Sequence, residues 1–157
     1  MLLQILLFDN LAIGSCFNPL VYIVIIVLLP VETLPVVMLL AGGATGMVAD
    51  LFTAGAGLNA AATMAAAFIR QPLLSLFRDR DEMRGGVPSA QLFGNEGRFI
   101  RYAAALVFIH HGIFFLLESL SAAGIGYALL RLLLSGSFTL LFVLLAARLF
   151  NLNVSSK

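Results

Sequence analysis

Residues able to do chemistry are scarce in this chain, and their spacing restricts the chemistry open to them. Asp50 is a lone acid in apolar sequence, followed by glycines at 55 and 57 and then by Asn59. His110 and His111 are adjacent, Glu118 follows two helical turns after His111, and Arg131 heads a series with Ser135 and Thr139 at intervals of four. Adjacent side chains on a helix diverge by about 100°, so the two histidines are badly placed to ligate one metal ion. No cysteine, histidine or carboxylate set at metal-binding spacing accompanies them. One histidine is therefore expected to face the bundle interior and the other an interface or partner. The sequence has no nucleophile elbow, His-Glu-x-x-His, phosphate-binding loop or serine dyad at a workable spacing. Neither enzymatic activity nor a cofactor is implied.

The same residues have structural uses. Gly42, Gly46 and Asp50 fall four apart and so share one helical face, where the two glycines form a small-xxx-small pattern that admits a neighbouring backbone. Asn59, Thr63, Ala66 and Arg70 share a face of the following helix. An acid near the end of a span is costly unless it is paired, hydrated or used as a cap. Asp50 and Asn59 are therefore expected to meet across the Gly55/Gly57 turn. Glu118 and Arg131, flanking a later short turn, form a natural ion pair, because a charge withdrawn from water needs a partner.

The elements that position these residues must be membrane helices. The chain has 157 residues, of which 61% are hydrophobic and 11% charged, with a mean hydropathy of +1.05. At about 20 apolar residues per crossing, that length allows roughly five or six spans and leaves no extramembrane domain. The period-two alternation of an outer-membrane barrel is missing, which selects an all-α, multi-pass bundle. The expected spans are a partial helix over 1–8, then 17–30, 34–52, 58–77, 99–120 and 125–150, all in one domain. The mixed-charge segment 78–98 is read as a loop. The single Cys16 forms no intrachain disulfide. A net charge of +1 without a basic patch gives no sign of a nucleic-acid partner. Arg78, Arg80, Arg84, Arg98 and Arg101 cluster around the loop and place it, with the C-terminus, in the cytoplasm. Such a loop is suited to anionic lipid headgroups or cytoplasmic partners.

The stretch from Leu39 to Phe77, with Asp50-Leu51-Phe52 ending one span and Gly57-Leu58-Asn59-Ala60 opening the next, resembles the central region of MreD, the rod shape-determining membrane protein family of bacteria. Asn18-Pro19, the Leu28 to Thr33 turn, the Phe77-Arg78-Asp79-Arg80 loop start and Val107 to His111 look like the branch found in Bacteroidetes-type bacteria. The resemblance implies six helices, here with a truncated first one, in a fold similar to the substrate-binding subunits of energy-coupling-factor vitamin transporters. It further implies a non-enzymatic scaffold of the cell-elongation complex in the inner membrane. That scaffold would bind MreC directly and, through the complex, MreB, RodA and the elongation transpeptidase. Gly42, Gly46, Asp50, Gly55, Gly57, Asn59 and Thr63 are read from their spacing as serving helix packing or a partner interface. The alternative is a small-molecule binding subunit of a vitamin-type transporter, with a polar pocket at Asp50, Asn59, His111 and Glu118.

Overall fold

The computed structural model describes residues 18–53, 56–77, 96–119 and 125–149. A 3-10 turn, Val21–Ile23, leads into the short helix α1, Val24–Leu28. Four long helices follow: α2 (Pro35–Thr53), α3 (Leu58–Phe77), α4 (Glu96–Ser119) and α5 (Ile125–Leu149). Each is long and apolar enough to cross a membrane, so the described part is a helical, multi-pass membrane bundle. The expected partial helix over 1–8, residues 78–95 of the expected loop and Gly55 lie outside the described residues, whereas 96–98 of that loop are helical and form the start of α4.

The segment expected to span at 17–30 departs from that expectation. It is not one continuous helix among its described residues. Asn18 to Leu20 are non-helical, and regular structure is confined to Val21–Leu28. Two prolines explain this. Pro19 biases Asn18 away from the helical region and lacks an N–H, and Pro30 halts the helix by the same restriction on Leu29, whose ψ is 147°. At 1.5 to 2 Å per residue the helical part covers only about 13 Å, less than half of a roughly 30 Å hydrocarbon core. A hydropathy window registers the apolar run Val21 to Leu29 but not the break in its backbone.

This broken segment is the centre of the molecule. Ile23, Ile26 and Val27 are completely buried and join a cluster with Ala66 and Leu74 of α3, Tyr102 and Leu106 of α4, and Val143 and Ala147 of α5. The surrounding helices are inverted relative to a water-soluble bundle. Their exposed surfaces carry Leu40, Met47, Leu51, Phe68, Leu76, Leu129, Leu133, Leu141 and Leu145, whereas the interior holds Asn59, Thr63, Arg70, both histidines, Ser135 and Thr139. Hydrocarbon chains solvate leucine as well as a protein core does, so apolar side chains can face outward without cost. Polar groups must instead find partners inside.

Helices α2 and α3 cross at the glycines of α2. A Cβ on Gly46 would lie 2.4 Å from the Cα of Ala60, and one on Gly42 would lie 3.0 Å from the Ala67 Cβ and 3.1 Å from the Thr63 carbonyl oxygen. The connection between these helices ends in Ala56 (φ 48°) and Gly57 (φ 88°). At Gly57 the absence of a Cβ makes the left-handed backbone inexpensive.

Candidate functional site

Asp50, in the last turn of α2, acts on the start of α3. Its Oδ1 accepts hydrogen bonds from the Asn59 backbone N–H at 3.0 Å and from Asn59 Nδ2 at 2.9 Å, and its Oδ2 accepts from the Ala60 N–H at 2.9 Å. Leu58 is the first residue of α3, so these are the second and third helical amides, the donors that an N-cap side chain ordinarily satisfies. Here the preceding helix supplies the cap, and the carboxylate also faces the positive end of the α3 dipole. Asn59 is used completely: its second Nδ2 proton goes to Thr53 Oγ1 at 3.1 Å, and its Oδ1 accepts from the Tyr22 hydroxyl at 2.9 Å. We expect Asp50→Ala to lower stability by about 2 kcal/mol, the upper end for loss of a cap, because two backbone donors and a buried amide lose their acceptor together. Thermal melting of the purified protein reads this. Asp50→Asn should recover only part of the loss, since its amide nitrogen cannot accept from the facing N–H groups.

The Tyr22 hydroxyl carries this network into the bundle. It lies 3.3 Å from His110 Nε2, and Thr63 Oγ1 lies 3.4 Å from the same nitrogen. The Tyr22 proton is committed to Asn59 Oδ1, and the Thr63 proton to the Asn59 carbonyl at 2.6 Å. His110 Nε2 must therefore be the donor, which assigns the proton to that nitrogen. Its Nδ1 is left without a partner. His111 has the opposite tautomer. Its Nδ1 lies 3.0 Å from the Val107 carbonyl oxygen, which can only accept, so Nδ1 carries the proton. His111 Nε2 then accepts from the Thr139 hydroxyl at 3.2 Å and from the Leu20 backbone N–H at 3.4 Å. Both histidines are buried, so neither meets the outer surface as one was expected to. A step of 100° leaves two neighbours in the interior when a helix is covered on two sides, and α4 packs against both α3 and α5.

The remaining interior polar groups hold the two ends of the broken segment. At its start, the Asn18 N–H donates to Ser135 Oγ at 3.0 Å, beside the Leu20 to His111 bond. At its end, the Tyr102 hydroxyl donates to the Val27 carbonyl at 3.3 Å, Arg70 Nη2 to the Leu29 carbonyl, and Gln71 Nε2 to the Val31 carbonyl at 3.3 Å. Backbone that leaves the helix inside a membrane must be satisfied by protein, and these five side chains do so. Arg70 is fully buried, with Nη1 against Met38 Sδ at 3.8 Å, and it stands at the negative end of α1. The sequence pattern put Arg70, Ser135 and Thr139 on helical stripes but did not reveal what they bind. Tyr22, Tyr102 and Gln71 were not singled out, although Tyr22 is the sole polar side chain in an otherwise aliphatic run.

Glu118 and Arg131 are joined at 2.5 Å. The guanidinium carbon also lies 4.6 Å from the Phe115 ring centre and 5.8 Å from that of Tyr127, a packing that favours arginine over lysine. Gly42, Gly46, Thr63 and Asn59 are thus placed at the α2–α3 crossing and the polar network, Gly57 at the turn, and Glu118 with Arg131 apart from that network at the α4–α5 end. Among the described residues no group of three or more histidine, cysteine or carboxylate side chains is arranged to hold a metal ion. Comparison with protein-family models, curated proteins and solved structures returns no match.

Proposed function

We propose that this chain is a non-enzymatic scaffold subunit of the bacterial cell-elongation complex, an MreD-like protein of the cytoplasmic membrane with its C-terminus in the cytoplasm. In this reading it docks MreC directly and engages MreB, RodA and the elongation transpeptidase through the complex. One observation carries the scaffold reading: the buried polar side chains bond other protein groups, with His110 Nδ1 and Arg70 Nε the interior atoms left unpartnered. Asp50 caps α3, Asn59 uses its full amide, and His111, Ser135, Tyr102, Arg70 and Gln71 hold backbone groups of the broken segment. A rigid interior with apolar outer faces suits a protein that works by presenting helices to other membrane helices. The MreD assignment itself rests on the sequence motifs.

Co-expression with MreC tests this reading. Stable co-purification, lost when Gly46→Leu distorts the α2–α3 face, is the expected result; a chain that purifies without MreC under conditions that retain other subunits would contradict it. The broken inner helix favours one alternative, the binding subunit of a vitamin-type transporter, because discontinuous helices at membrane depth commonly frame substrate sites. A metabolite retained by the purified protein, detected by mass spectrometry, would select that alternative.

A further inference from the structure

The two ends of the broken segment are held by groups of opposite polarity. At its far end Tyr102, Arg70 and Gln71 donate to the carbonyls of Val27, Leu29 and Val31, and all three keep their protons across the neutral range. At its start Ser135 and His111 accept, from the N–H groups of Asn18 and Leu20. Of these five holders only the histidine changes its protonation near neutral pH. Its polarity is fixed from both sides: Nδ1 gives its proton to the Val107 carbonyl at 3.0 Å, so Nε2 offers its lone pair to the Leu20 N–H at 3.4 Å and the Thr139 hydroxyl at 3.2 Å. A second proton, on Nε2, would treat these two donors differently. Thr139 can rotate its hydroxyl and accept instead, whereas a backbone N–H can only donate. Protonated His111 therefore faces the Leu20 amide donor to donor, and that bond is lost.

The other charged or titratable groups around this ring do not take over its role. On α4, the His110 ring centre lies 5.4 Å away, and a proton on its unpartnered Nδ1 would break no hydrogen bond. Glu118 is closed on Arg131 of α5, and the Tyr22 hydroxyl of the broken segment is held between Asn59 and His110. On α3 the groups at this level are the uncharged Asn59 and Thr63, while Arg70 sits at Leu29, the far end of the segment. Asp50 of α2 is occupied with the Asn59 and Ala60 amides. The closed arrangement requires a neutral His111, and the opened one leaves the imidazole free to bind a proton as an ordinary histidine does, at about pH 6.5. Above that pH the latch holds fully. Below it, each unit of pH favours opening by about tenfold, because opening takes up one proton.

We propose that His111 is an acid-sensitive latch: its protonation releases Leu20 and, with it, the Asn18 end of the broken segment, opening the seam between that segment, α4 and α5. The device depends only on the hydrogen bonds at His111 and is independent of the MreC assignment. The test measures amide hydrogen exchange of the full chain in detergent from about pH 7.5 to about pH 5, a window above the usual carboxylate range. Dividing each rate by the intrinsic rate at the same pH gives the opening constant of each amide. At Leu20 that constant should rise about tenfold per pH unit below about pH 6.5, with Asn18 following and the amides of Asn59 and Ala60 unchanged. His111→Gln, whose side-chain oxygen can accept from Leu20 but cannot titrate, should keep the protection and lose the slope; its melting curve at neutral pH verifies folding. The chain has 2 histidines, so His110→Gln leaves His111 as the sole one and should keep the slope, which tests the latch even if the first variant does not fold. A pH-independent opening constant at Leu20 in the unsubstituted chain, an undiminished slope in folded His111→Gln, loss of the slope in His110→Gln, or an equal acid response at Asn59 and Ala60 would overturn the proposal.

Discussion

Gly46→Ala is expected to destabilise the protein more than alanine at any other described glycine in the helices. The added carbon would stand 2.4 Å from Ala60 Cα, 2.7 Å from Ala60 N and 2.7 Å from the Asn59 carbonyl oxygen, all backbone atoms of α3. Nothing flexible lies in the way to yield, so the helices must separate. Separation would also pull Asp50 from the amides of Asn59 and Ala60. Overpacking a core costs about 1 to 3 kcal/mol; with the cap disturbed as well, we expect at least the upper figure and a melting point lower by roughly 10 °C. Gly42→Ala should cost less, because its nearest neighbour is the Ala67 methyl at 3.0 Å, and Gly43→Ala should be nearly silent against the pliable Met64 side chain at 3.5 Å. Gly112→Ala meets nothing within 4 Å. Melting curves that failed to rank Gly46 below Gly42, and Gly42 below Gly43, would show that the crossing is not tight.

Arg70 is expected to produce the second large effect, and three substitutions separate its causes. Arg70→Ala removes a wholly buried side chain and leaves the Leu29 carbonyl without its donor. A core truncation costs about 2 to 5 kcal/mol and an unsatisfied buried acceptor about 1 to 3. Arg70→Met keeps most of the volume and removes the buried charge, so it should cost only the hydrogen-bond component. Arg70→Lys retains the charge but not the planar fork that reaches both Met38 Sδ and Leu29 O, and it should be worse than methionine. Melting orders the three, and limited proteolysis at the Pro30 to Leu34 turn reports whether the loss is local. If methionine proved as damaging as alanine, packing would not be the larger component.

How much of this could be read in the sequence differs from feature to feature. Helix α3 over 58–77 is legible at both ends, because glycines precede Leu58 and charged sequence follows Phe77. The Asp50–Asn59 contact is legible for a related reason: an acid that ends one span and an asparagine that opens the next are held together by a connection too short to separate them. Glu118 and Arg131 follow the same logic. The broken segment was not legible as such, since Val21 to Leu29 has the composition of a span and only Pro19 and Pro30 betray the interruption. With it went the purpose of Arg70, Gln71, Tyr102 and Ser135. Each bonds a main-chain group far away in the chain, and backbone donors and acceptors leave no mark in residue identity. The second inward histidine was missed because the sequence could not show that α4 is packed on two sides.

The central claim is that Ser135, His111, Tyr102, Arg70 and Gln71 satisfy the backbone of the broken segment. Amide hydrogen exchange in detergent, comparing the unsubstituted chain with Ser135→Ala and His111→Phe, tests it most directly. If the claim holds, exchange accelerates at the amides of Asn18 and Leu20 in the variants, while the amides of α2 and α3 keep their protection. Unchanged exchange at Asn18 and Leu20, or a uniform loss throughout the bundle, would contradict it.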